Sequence, residues 1–280
     1  MPTPDDAHAV AFARLAGAGE GMLDLGRAAL AIGRITEPGL MVEEYAARLD
    51  ALADRAVVAC GAEAEAARVV AAVSEVLFRE EGFAGDRTDY YNPQNSFLHD
   101  VLERRRGLPI LLSVLFMEVA GRAGLVVEGV GAPSHFVVRY RADEEWQFLD
   151  PFRGGEAIPR SVLEARVQQA LAGTSVSTEA FLEGVTGRQI LGRILVNLKG
   201  CYARRGDATG ALAATDFLLA MTPWAVEEVR DRGLLLYQLQ RYDESLDALQ
   251  RYVEHAPESA QVEPLERLIG QIEEILAQGG

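Results

Sequence analysis

The chain predicts an α+β fold, with helices before a core that holds a small antiparallel sheet and helical hairpins after it. Three observations predict it. The first ninety residues are rich in alanine and place apolar residues at helical spacing. Three short strand-like runs then follow one another, at Leu125 to Val130, His135 to Tyr140 and Trp146 to Asp150. From Ala180 onward the pattern is helical again, and part of it recurs after 34 residues. The expected division is a helical region over 1–90 packing on a core over 91–180, with a helical repeat region over 181–280.

In chain order, Ala7 to Ala16 and Leu23 to Ile35 are the first helix candidates. Pro38 suits a helix start, after which Val42, Tyr45, Ala46, Leu49 and Leu52 recur at three and four. A further helix is expected over Ala62 to Arg79, broken by Gly82, Gly85 and Asp86. Asn92-Pro93 marks a turn, and Asn95 or Ser96 can cap a helix from Phe97 to about Arg105. Pro109 then opens a helix to about Ala123 that is apolar on most sides, as a buried central helix is. Glu118 and Arg122 mark its one wet edge, Ser113 is the polar group in its middle, and Gly124 stops it.

The second and third strand runs flank a polar loop, expected over Arg141 to Glu144. That loop pairs Tyr140 with Glu145, Arg139 with Trp146, Val137 with Phe148 and His135 with Asp150. After Gly154-Gly155 a helix is expected over Arg160 to Ala172. The repeat aligns Leu212 with Leu246 and Pro223 with Pro257, which is the period of the tetratricopeptide helix hairpin. Residues 264–278 make a closing helix.

Lys plus Arg number 27 against 42 Asp plus Glu, a net charge of −15 that opposes nucleic-acid phosphate and anionic lipid alike. The densest basic cluster, Arg104-Arg105-Arg106, reads as a helix end. No basic stretch followed by an apolar one opens the chain, and Leu108 to Val119 is too short to span a bilayer. Cys60 and Cys201 form no CxxC. These features point to a cytoplasmic protein that binds neither nucleic acid nor membrane. No two of the four histidines share metal-ligand spacing, and "GAGEG" lacks the strand and the Lys-Ser/Thr of a phosphate loop. No metal and no cofactor are expected.

A histidine beside a carboxylate is the base-and-orienter half of a catalytic triad, or simply a polar contact that pins two strands. The order of a Gly turn, a buried helix, a strand, a His strand and an Asp-Pro strand end is similar to the papain/transglutaminase-like core. More closely, "DYYNPQNSFLHDVLERRRGLPILLSVLFMEVAGRAGLVVEGVGAPSHFVVRY" with "LDPFRGG" resembles the bacterial SirB-type family, a transglutaminase-like core followed by tetratricopeptide units. The resemblance puts His135 on the catalytic-type histidine, Asp150 on the aspartate and Pro109 on the position of the nucleophilic cysteine. Proline carries no nucleophile. Ser113, one turn on, either bonds the carbonyl four residues back or replaces the nucleophile. Tyr91 and Asn95 belong to the motif as cleft residues, although Asn95 is most simply a helix cap. "GAPSH" reads as a turn that aims His135. The expected function is a pseudoenzyme that acts through protein–protein interaction, with a peptide partner in the tetratricopeptide groove. The alternative is a hydrolase or acyl-transfer enzyme using His135 and Asp150 with Ser113 or water.

Overall fold

The computed structural model describes residues 7–19, 21–61, 64–132, 135–170, 177–256, 258 and 260–278. Two compact units form: one comprises Ala18–Ile194, the other Met1–Gly17 with Leu195–Gly280. The expected three-part division is therefore redistributed. The helices before residue 90 share one core with the sheet, and the first helix belongs with the C-terminal repeats.

In the larger unit, α2 (Leu25–Ala31) starts at Asp24, whose carboxylate accepts from the Arg27 N–H at 2.9 Å. The next helix, α3 (Val42–Cys60), begins at Met41 rather than near Pro38 and buries Ala46, Leu49, Ala53 and Ala56. Its successor, α4 (Ala66–Ser74), runs on as a π-helical turn over Glu75–Glu80 and stops at Gly82, which has φ +73°. Two short parallel strands, β1 (Ala84–Gly85) and β2 (Arg106–Gly107), flank α5 (Leu98–Arg104). The α5 helix is closed by Arg105 in the left-handed region (φ +57°).

The central helix, α6 (Pro109–Arg122), is buried along nearly its whole length, as its all-round apolar sequence requires. Its edge at Glu118 and Arg122 is the partly exposed one, as expected. Those two side chains pair, and Arg122 reaches Asp50 of α3 at 2.6 Å. Burial pushes the Glu118 carboxyl up against the opposing pull of Arg122.

The sheet has five antiparallel strands, β3 (Val127–Val130), β4 (Val137–Ala142), β5 (Glu145–Asp150), β6 (Glu156–Ile158) and β7 (Gly184–Val185), in the order β6-β5-β4-β3-β7. The expected register is off by two. Arg139 faces Phe148, Arg141 faces Trp146 and Ala142 faces Glu145, leaving only Asp143-Glu144 as the turn. Asp143 takes a positive φ of 54°, which an aspartate tolerates in a tight turn. A shift of two keeps every side chain on its face, so the Arg139 guanidinium still stacks on Trp146, 4.0 Å from the ring centre. Val137 and Phe148 pack with Leu163 and Val167 of α7 (Arg160–Ala170), which covers one face of the sheet.

From Gly187 the chain is helical. First comes α8 (Gly187–Arg204), which runs across the boundary between the units. The smaller unit then holds α9 (Ala208–Met221), α10 (Val226–Gln238), α11 (Tyr242–His255) and the closing α12 (Val262–Gln278). The helix α1 (Ala7–Ala16) packs on α9 through Phe12 and Phe217, whose ring centres lie 5.2 Å apart. Both bounds of α9 and α11 differ by the repeat length. The residues just before them, Gly206 and Gln240, both take left-handed backbone. Pro257 of the repeat alignment lies outside the described residues.

Candidate functional site

Pro151 ends β5, and the chain turns through a short 3₁₀ segment over Pro151–Arg153. Asp150 caps that turn, its Oδ1 accepting from the Phe152 N–H at 3.1 Å. Its other oxygen, Oδ2, lies 2.8 Å from His135 Nε2 and 3.5 Å from Arg153 Nε. The Asp150 side chain is fully buried, whereas the His135 side chain remains 16% exposed. His135 is held just before β4 by its own N–H donating to the Ala132 carbonyl at 3.1 Å. Pro133 of the "GAPSH" turn lies outside the described residues. The two side chains meet although the register differs from the expected one: they are diagonal rather than direct neighbours. With Nε2 on the carboxylate, the Nε2–H tautomer leaves Nδ1 as the basic ring nitrogen.

His135 opens onto a cleft of about 1040 Å³. Pro109, the first residue of α6, lines the same cleft. Phe78, Phe83, Tyr90 and Phe152 supply apolar surface, and Arg87 and Arg153 supply charge. Ser113 is not among these residues. It is fully buried, and its Oγ has no hydrogen-bond partner among the described residues, so it neither bonds the carbonyl four back nor faces the cleft. Cys60 and Cys201 are both buried and line no part of the cleft.

Asn95 is neither a helix cap nor a cleft residue. Phe97 occupies the cap position of α5 without a side-chain bond, and Asn95 is fully buried. Its Nδ2 donates to Asp86 Oδ2 at 3.1 Å and to the Asp89 carbonyl at 2.8 Å, and its Oδ1 accepts from Arg104 at 3.0 Å. Asp86 also accepts from the N–H groups of Thr88 and Asp89, each at 3.0 Å, and from the Thr88 hydroxyl at 2.9 Å. The Asp89 N–H leads the bonds that hold the Asp86 carboxyl down at about 2. This network pins the loop that carries Arg87 and Tyr90 to the cleft. Tyr91, expected there, is half exposed and stands edge-on to Tyr90, with ring centres 5.2 Å apart. Arg87 escapes sequence reading because the loop has no periodicity, whereas Tyr90 sits inside the quoted "DYYNPQ" stretch. Phe152 and Arg153 do sit inside the quoted "LDPFRGG". No group of three metal-ligating side chains forms among the described residues, and no helix there is long and apolar enough to cross a membrane.

Comparison with known proteins agrees with this architecture. Residues 43–196 match the transglutaminase-like superfamily and residues 198–270 match a tetratricopeptide repeat. A UPF0162 protein of Xylella fastidiosa strain Temecula1 is 38% identical over 197 residues, 69% of this chain and 70% of that one. A UPF0162 protein of Vibrio cholerae is 29% identical over 244 residues, covering 87% and 90%. F-box only protein 21 of Mus musculus is 32% identical over 186 residues, 62% of this chain but 28% of its own length. No solved structure matches. The chain belongs to the transglutaminase-like superfamily, among its UPF0162 proteins, with a tetratricopeptide region following the core.

Proposed function

We propose that this chain is a non-catalytic member of its superfamily, of the SirB type, that works in the cytoplasm as a protein-interaction or regulatory module. One observation carries the reading: a proline opens α6 at the cleft onto which His135, held by the buried Asp150, opens. Covalent acyl transfer needs a nucleophile within reach of the imidazole. Proline offers none, Ser113 is buried away, and both cysteines lie elsewhere. The tetratricopeptide hairpins support a binding role. Trp224 is 73% exposed and lines a pocket of about 310 Å³ with Pro223, Tyr252 and His255. A partner's peptide segment would seat there.

A second reading keeps the pair chemically active, with His135 drawing a proton from water for hydrolysis. The exposed edge of the imidazole favours it. One experiment separates the two. The whole chain is incubated with serine- and cysteine-directed electrophiles and with ester and amide substrates, beside a His135→Ala control. No labelling or turnover that depends on His135 is expected. Turnover abolished by the substitution would establish hydrolysis instead.

A further inference from the structure

Two features of the cleft suit it to a ligand. The first is a free strand edge. In β1, the N–H of Ala84 donates to the Arg105 carbonyl at 3.1 Å and that of Asp86 to the Gly107 carbonyl at 3.2 Å. Peptide groups alternate in direction along a strand, so the N–H and C=O of Gly85 point away from β2. Gly85 lines the cleft. A Cβ at this position would lie 2.3 Å from the Phe152 ring, so a side chain here would collide with the aromatic wall.

The second feature is charge. The molecule carries −15 overall, yet two exposed arginines line this cleft. The Arg87 guanidinium sits 5.8 Å from the Phe152 ring centre and forms no ion pair among the described residues. The ion pair that Arg153 forms among the described residues is with Asp150, at 3.5 Å, and that carboxylate already serves His135 and the Phe152 N–H. Glu156 is the sole acidic side chain among the residues that line the cleft. A guanidinium stacked on a ring keeps its donor edge free for a carboxylate.

We propose that this cleft receives an extended peptide bearing a carboxylate. The peptide backbone pairs with the Gly85 N–H and C=O, as strands add to an open sheet edge. Its carboxylate lies between Arg87 and Arg153, and flanking apolar side chains rest on Phe152, Phe78 and Phe83. The proposal rests on the non-catalytic reading of the site and adds the chemistry of the partner.

The test is fluorescence anisotropy on the full chain with fluorescein-labelled ten-residue peptides of alternating Ala and Val around a central Glu. Matched arms carry Gln at the centre, backbone N-methyl groups along one edge, or a Gln centre with a free or an amidated C-terminus. The Glu peptide is expected to bind at least about tenfold more tightly than the Gln and N-methyl peptides. Arg87→Gln and Arg153→Gln, both at exposed positions, should erase the Glu preference without moving the melting temperature. Tight binding by the free C-terminus alone would keep the carboxylate site and assign it to a chain end. Equal affinity for Glu and Gln, a preference unchanged in both arginine variants, or no binding up to about 1 mM would overturn the proposal. Peptide masses are read from the same samples. Unchanged masses leave the non-catalytic reading standing however binding falls, and cleavage or deamidation defeats that reading separately.

Discussion

His135 and Asp150 meet because the turn after β5 fixes the carboxylate first. Asp150 is committed by the cap to Phe152 and by burial, and the imidazole comes to it. That contact was legible, since both residues lie in one short alternating stretch. The placement of Ser113 and Asn95 was not, because it depends on partners that no local pattern reveals. Asn95 bonds Asp86, nine residues upstream in an irregular loop. The unpaired Ser113 hydroxyl predicts that Ser113→Ala is neutral or stabilises by up to about 1 kcal/mol, since it removes an unsatisfied buried group. Denaturant melts check this, and a loss of several kcal/mol would show a missed partner. Asp86 gives a pH prediction. Its folded pKa, about 2, lies below the ordinary 3.8, so its stabilising contribution is whole above about pH 4 and is lost as pH falls toward 2. Asp86→Asn should flatten the stability curve of the chain in that window, as read by urea titration at stepped pH.

Among elements, the long helices were the most legible: α1, α3 and α6 stand close to where their periodicity placed them. The two outer strands β6 and β7 were missed because segments of two or three residues leave no alternation to read. The expected register of β4 and β5 is off by two because the charged stretch Arg141 to Glu144 reads as loop, whereas only Asp143-Glu144 turn. In the structure, Arg141 is a strand residue that lies over Trp146, 5.7 Å from its ring centre. The period of the repeat was legible, and the turns before α9 and α11 follow it. Gly206 and Gln240 occupy equivalent left-handed positions, at φ +71° and +59°, but only one is glycine. Gln240→Gly should therefore stabilise the smaller unit by roughly 0.5–1 kcal/mol. A rise in melting temperature checks it; a fall would mean that the Gln240 side chain contributes more than its backbone strain costs.

At the scale of the whole molecule, the family pattern was readable from the sequence but the division into units was not. The Ala-rich N-terminal helices bury small residues against α6, so they share its core instead of forming a region of their own. The first helix joins the repeats because Phe12 finds Phe217, a contact between residues far apart in the chain. The fold thus brings an imidazole that opens onto a cleft against a buried carboxylate, and places an imino acid where helix α6 begins at that cleft. Restoring a sulfur tests that claim most directly. In Pro109→Cys, the thiol would sit at a helix N-terminus beside His135, conditions that lower a thiol pKa below its ordinary value of about 8.5. Alkylation by iodoacetamide at pH 6 should be rapid at that position, slow at buried Cys60 and Cys201, and at least about tenfold slower when His135→Ala is added. A thiol that reacts no faster than an ordinary one, with or without His135, would contradict the account.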